Sequence, residues 1–281
     1  MSTVLVTGAT GNVGRAIVST LSLKGFKVRA AARNLAKASF AFGVDVVKFD
    51  YQDPSTFDAV LTEAESAVLI APPLDPDAPG KLNPVIDKAK AAGVKHVIFI
   101  SAFGVDAVEQ APLRRIERHL MASGLNYTIL RPNFFMENFS TGFLAPMVKQ
   151  GGIHLAAGDG KTSFISTADI AETAARALED HLLNKEYNLT GPEALDHTTV
   201  ASILSKVTGR SITYHPLSEE AMFKGLRDNG LPEGAVQYVG VLYGAVRAGY
   251  VAAVTTDVEV VTGRRPMNFE AFARQNASAW V

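Results

Sequence analysis

Residues 4–34 read VLVTGATGNVGRAIVSTLSLKGFKVRAAARN, and three glycines recur there at every third position, Gly8, Gly11 and Gly14. A short apolar run precedes them and an amphipathic one follows, with Val13, Ile17, Val18 and Leu21 at helical spacing. The segment therefore reads as strand, glycine turn, helix. Such a turn leaves backbone N–H groups free at a helix N-terminus, where the helix dipole favours negative charge. Gly8 suits the tight turn, Gly11 lets a phosphate approach the backbone, and Gly14 lets the helix pack close to the strand. The spacing is G-x-x-G-x-x-G and departs from the G-x-G-x-x-G form of a dinucleotide turn.

The rest of the first half repeats the unit. Strands are expected at 3–7, 27–32, 45–50, 66–71, 96–101 and 127–131, with helices at 13–25, 82–92 and 112–123. The strands are apolar throughout, the mark of a parallel sheet covered on both faces. With right-handed crossovers this gives a doubly wound parallel sheet of the Rossmann type, an α/β fold. Beyond Pro132 the rhythm changes. The run 133–152 is aromatic and reads as helical, 153–166 reads as two short strands about a Gly-Asp-Gly turn, and 167–180 as a helix capped by Thr167 or Asp169. A strand near 186–191 could rejoin the main sheet. The expected division is a dinucleotide-binding domain from 1–133 and 167–190, and a smaller, mostly helical substrate lobe from 134–166 and 191–281.

Composition limits the alternatives. The 281 residues are 47% hydrophobic, enough for a full core, and the net charge of −1 offers no footprint for nucleic acid or a membrane surface. There is no cysteine, hence no disulfide, thiolate metal site or cysteine nucleophile. The six histidines show no metal-ligand spacing. No signal peptide and no apolar run of about 18 residues is evident, so a soluble, cytoplasmic protein is expected.

The end of the second strand bears on which dinucleotide is bound. An acid there would hold the adenine ribose hydroxyls of NAD. This chain places Arg33 there, 19 residues past Gly14. A guanidinium matches a phosphate, and Lys37 adds a second positive charge, so NADP(H) is favoured. Asp50, at the end of the third strand, either contacts adenine or caps the next turn.

In order along the chain, VTGATGNVG, AARN, VKHVIFIS, LRPNFFMENF, GDGKTSFISTADIA and YNLTGPEAL resemble the NmrA-like branch of the atypical short-chain dehydrogenases and reductases. The resemblance spans nearly the whole chain. It implies a Rossmann domain with a small substrate lobe and NADP(H) as ligand. Family members reduce quinones, azo dyes, triphenylmethane dyes and other conjugated acceptors, and some are redox-sensing regulators without turnover. By likeness, Gly8, Thr10, Gly11, Asn12 and Val13 meet the pyrophosphate, and Arg33 and Lys37 the 2′-phosphate. Ala71, Pro72 and Ser101 line the nicotinamide-ribose side. Asn133 and Phe134 approach the nicotinamide and substrate, with Phe135 and Asn138 beside them.

One feature of short-chain dehydrogenases is missing. The helix after the fifth strand normally carries Tyr-x-x-x-Lys, a proton relay. Here that region reads APLRRIERHLMASG, with neither residue, and no tyrosine in the chain is followed by lysine four positions on. Sugar epimerase and ordinary alcohol dehydrogenase chemistry are disfavoured. Glu117 with Arg114 reads as a surface ion pair, Ser101 as a substrate contact or a turn cap, and Glu137 as a helix-surface residue. Phe134, Phe135, Phe139 and Phe143 form either an acceptor slot or plain core packing, with Phe135, Phe139 and Phe143 at spacings of four on one helical face. The catalytic residues stay unassigned. The expectation is an NADPH-dependent reductase passing hydride to a small conjugated acceptor, and the alternative is a non-catalytic NADP(H) sensor acting through a protein partner. The apolar, glycine-rich stretch 219–251 either caps the pocket or pairs two copies as a homodimer.

Overall fold

In chain order the elements are β1 (Thr3–Val6), α1 (Asn12–Leu23), β2 (Lys27–Ala32), β3 (Asp45–Lys48), α2 (Phe57–Leu61), β4 (Ser66–Ile70), α3 (Ala78–Ala91), β5 (His96–Ile100), α4 (Pro112–Ala122) and β6 (Asn126–Pro132). There follow α5 (Ala145–Lys149), β7 (Gly152–Leu155), α6 (Thr167–Glu179), β8 (Lys185–Leu189), α7 (His197–Thr208), β9 (Thr213–Pro216), α8 (Glu219–Asp228), α9 (Glu233–Arg247), α10 (Asp257–Thr262) and α11 (Phe269–Gln275). The structure is a computed structural model and describes residues 2–41 and 43–280.

Seven strands form one sheet in the order β3-β2-β1-β4-β5-β6-β8, every pair parallel. Consecutive residues of each strand serve opposite faces. Val4, Val6, Val68, Ile98 and Leu130 pack against α1 and α6, while Leu5, Leu69, Val97 and Phe99 pack against α2, α3 and α4. Phe99 and Leu69 are wholly enclosed, a burial that stabilises by about 2–3 kcal/mol for each such side chain. The strand order reverses between β1 and β4. In a doubly wound sheet, that switch point opens a crevice at the strands' C-terminal ends.

A third core lies beyond that edge. It is built from residues such as Phe139, Phe164, Tyr243, Phe269 and Trp280, drawn from 136–164 and the helices after β8. Segment 251–257 fastens it to the sheet. Val251 O accepts from Asn133 Nδ2 at 2.8 Å, and Asp257 Oδ2 accepts the Asn188 N–H at 2.7 Å. Helix α10 then returns to α6 and puts Val258 in the core of the main sheet.

Four local expectations need correction. Residues 153–166 do not form a hairpin: β7 pairs in parallel with β9, and the stretch after Gly160 makes isolated bridges from Thr162 to Leu195 and from Ile165 to Phe135. The run 133–152 is not one helix but a 3-10 turn, Met136–Phe139, followed by α5. Helix α3 starts four residues before Leu82, because Pro79 falls in its first turn, where a missing N–H costs nothing. The helix at 167 is capped by Ser166, whose hydroxyl accepts the Asp169 N–H at 3.1 Å.

Candidate functional site

The glycine turn sits at the switch point. Gly8 has φ +59°, a conformation that disfavours a side chain, and Ile70 stands 3.1 Å from where its β-carbon would be. A β-carbon on Gly14 would lie 2.2 Å from Gly8 O and 2.7 Å from Ala9 Cα, so α1 approaches β1 as closely as backbone permits. Gly11 is different. Its φ is −78°, and a β-carbon there would meet only Gly8 O at an ordinary 3.4 Å. No contact within the protein demands glycine at that position.

Gly11 is the N-cap of α1 and supplies no side-chain cap, and no acid lies in the first turn. Among the described residues, the N–H groups of Asn12, Val13 and Gly14 have no acceptor. These are the free donors of a helix start, aimed at the crevice. Arg15 braces the loop: its Nε donates to Thr10 O at 3.0 Å, its Nη1 to Ser39 O at 3.0 Å, and its guanidinium lies 5.4 Å from the Phe40 ring.

Arg33 follows β2, exposed, with no carboxylate partner among the described residues. The side chain of Lys37 lies outside the described residues. Asp50 caps the next turn, its Oδ1 accepting the Gln52 N–H at 3.0 Å. Ala71 and Pro72 follow β4, half-buried at the same edge.

Helix α4 holds a buried ion network. Glu117, expected on the surface, is fully buried. Its oxygens accept from Ser101 Oγ at 2.6 Å, Arg114 Nη1 at 2.8 Å, and Arg131 Nε and Nη2 at 2.8 Å each. Burial alone would raise its pKa, but the bonds from Arg131, Ser101 and Arg114 prevail and hold the carboxyl below the usual range. Arg131 is itself buried and also meets Glu186. Ser101 is thus turned inward onto a carboxylate that ties α4 to the ends of β5 and β6.

Several further residues sit differently from expectation. Asn133 is buried and committed: Nδ2 donates to Ser163 Oγ at 2.7 Å and to Val251 O, while Oδ1 accepts the Phe134 N–H at 2.9 Å. With both bonds from Nδ2 committed, the side chain holds the lobe to the sheet. Glu137 is not on a helix surface: its carboxylate accepts the Thr167 N–H at 3.0 Å and Thr167 Oγ1 at 2.8 Å, capping α6, and burial raises its pKa. Phe135, Phe139 and Phe143 do not share a face. Phe135 packs on the main core, Phe134 on the lobe core with its ring 6.0 Å from that of Tyr243, Phe139 is buried edge-on to Phe164 and Phe269, and Phe143 is exposed. Asn138 is half-buried in the turn that leads to α5, where its carbonyl accepts the Leu144 N–H at 3.0 Å.

Comparison with known proteins decides the lineage. The model of the NmrA-like family matches residues 1–247. The chain belongs to the NmrA-like family. It is 35% identical to prestalk A differentiation protein A of Dictyostelium discoideum, over 98% of this chain and 92% of that protein. It is 32% identical to an NAD(P)H azoreductase of Xenophilus azovorans, over 99% of both. Among solved structures, the NADPH complex of an NADPH-dependent quinone oxidoreductase from Escherichia coli superposes with a TM-score of 0.83 at 28% identity, covering 97% of this chain and 99% of that one.

The residues of this NmrA-like chain fit a dinucleotide on their own terms. The unpaired amides of Asn12 and Val13 are donors of the kind a diphosphate takes, Gly11 puts no side chain beside them, and the exposed Arg33 has no carboxylate partner among the described residues. Two residues at this edge escaped sequence reasoning. Leu74, after β4, and Phe103, after β5, pack against the lobe core, as Phe134 does, while each stays partly exposed. Both lie in loops without periodicity, so no sequence pattern marks them.

Proposed function

We propose that this NmrA-like chain is an NADPH-dependent reductase that passes hydride to a small conjugated acceptor, of the quinone or dye class, without a tyrosine–lysine relay. The observation that carries the reading is the uncapped start of α1: free amides at Asn12 and Val13, room at Gly11, and Arg33 across the crevice. The names of its relatives point the same way.

In this reading the amides of Asn12 and Val13 fix the diphosphate, with Gly8 and Thr10 shaping the turn around it, and Arg33 selects the 2′-phosphate. Ala71 and Pro72 flank the nicotinamide ribose. The bound cofactor supplies a hydride, which needs proximity and a water-poor slot more than a dedicated acid. Phe103 and Phe134 supply apolar wall at that slot. Glu117 stays ionised under its three donors and keeps the Ser101 hydroxyl engaged, so neither passes a proton onward. The reduced acceptor takes its proton from solvent.

The test is NADPH absorbance followed in the presence of a panel of quinones and dyes. Oxidation faster than the enzyme-free rate with at least one acceptor is expected. No acceleration with any acceptor would contradict the reductase reading.

A further inference from the structure

Four residues other than glycine have positive φ among the described residues: Glu63, Leu74, His181 and Asn184. Glu63 precedes β4, and His181 and Asn184 precede β8, so three of them lie at the sheet's N-terminal edge. Leu74, at φ +54°, is alone on the C-terminal edge, where the crevice opens. A branched apolar side chain is rarely held in the left-handed region, and such strain persists only where the surroundings impose it.

The surroundings here do impose it. Asp75 Oδ1 accepts the Asp77 N–H at 2.9 Å, Asp75 O accepts the Ala78 N–H at 3.1 Å, and the Asp75 carboxylate meets Lys81. Pro76 rests on the start of α9, its Cγ 3.5 Å from where a β-carbon of Gly234 would stand. The strap from Pro72 to Asp77 is thereby pinned at its far end to α3 and to the lobe. The left-handed turn at Leu74 sends its side chain onto the lobe core, where Phe103 and Phe134 also lean.

These three side chains leave the ends of three successive strands of the sheet, β4, β5 and β6, and each is only partly covered. They differ in how they are held. Phe103 N–H donates to Pro132 O at 3.0 Å, which stitches it to β6, and Phe134 N–H donates to the side chain of its buried neighbour Asn133. Leu74 N–H has no such bond among the described residues. Its position comes from the left-handed turn and the pinned strap, and from packing of its side chain on the lobe core.

We propose that Leu74 is a specificity-determining residue: it forms the variable wall of the acceptor slot opposite Phe103 and Phe134, and its bulk sets the width of acceptor admitted. This rests on the reductase reading for the existence of the slot. A change of one or two methylenes in an apolar slot shifts discrimination by about tenfold or more. Truncation at Leu74 therefore favours bulky acceptors, and enlargement disfavours them.

The experiment compares wild type with Leu74→Ala and Leu74→Phe, using a one-ring and a three-ring quinone. Two readouts are taken on each protein: kcat/KM with NADPH, and quinone affinity measured with NADP+ present, where no turnover occurs. Melting with NADPH alone checks that each variant is folded. The expected result is that the ratio of three-ring to one-ring affinity rises about tenfold in Leu74→Ala and falls in Leu74→Phe, with kcat/KM ratios moving the same way. Ratios within twofold of wild type in both folded variants would overturn the proposal, as would a wild type that binds neither quinone. If wild type binds the quinones but oxidises no NADPH, the reductase reading fails while the affinity ratios still judge Leu74.

Discussion

Gly11 and Gly14 stand three residues apart and answer to different constraints. A methyl at Gly14 would strike Gly8 O at 2.2 Å, and that carbonyl belongs to the turn itself. Gly14→Ala is expected to cost about 1–3 kcal/mol, as overpacking of a tight contact does, and to displace the cradle. Gly11→Ala meets no such obstacle; stability should stay within about 1 kcal/mol of wild type, while NADPH no longer raises the melting temperature. Thermal melts of both variants, with and without NADPH, check the pair. Arg33→Ala bears on selectivity. It should weaken NADPH by about tenfold or more, the effect of losing one charged hydrogen-bonding partner, and leave NADH nearly unchanged; titrations with the two nucleotides measure it. The strand–turn–helix around the glycine triplet and the place of Arg33 after β2 were legible in the sequence because they are set by immediate neighbours along the chain. Glu117 and Asn133 were not. Each is defined by partners far away in sequence, such as Arg131 and Val251, and a helix-surface reading of Glu117 was the natural one from local spacing alone.

At the scale of elements, the strands of the main sheet follow from unbroken apolar runs, and their observed limits match the expected ones within two residues. Misreadings cluster where tertiary contacts replace periodicity. The β7–β9 pairing joins strands more than fifty residues apart, and the aromatic run after β6 is divided between two cores. The buried ion network at α4, β5 and β6 is the element most exposed to single changes. Glu117→Gln leaves Arg114 and Arg131 short of their shared counter-charge in a dry site, and should cost about 3–5 kcal/mol in unfolding free energy. Urea denaturation measures that loss. A loss under about 1 kcal/mol would mean that Glu109, Asp106 and Glu186, which also face these arginines, suffice for them.

For the molecule as a whole, two enclosed histidines govern the acid side. Burial, with the charge of His181 adding to it, pushes the pKa of His96 down to about 4. His197, among Phe139, Phe164, Tyr214 and Tyr243, is also driven by burial to about 4, with Asp196 opposing. Both folded values lie below the ordinary 6.5, so between about pH 4 and 6.5 the unfolded chain binds more protons than the folded one. Stability from these groups is complete above pH 6.5 and is lost as pH falls through that window. Melting temperature should drop accordingly from pH 7 to pH 4.5, and His197→Phe should flatten part of the slope. One histidine opens β5 and bonds Thr128 of β6, the other is enclosed in the lobe, so protonation is expected to act on the sheet and on the lobe alike.

In the proposed function, the free amides at the start of α1 hold the diphosphate of NADPH in the crevice. A crystal structure of the complex with NADPH tests this most directly. Diphosphate oxygens within hydrogen-bonding distance of the Asn12 and Val13 amides, with the 2′-phosphate at Arg33, are predicted. A nucleotide bound elsewhere, or its diphosphate turned away from the glycine loop, would contradict it.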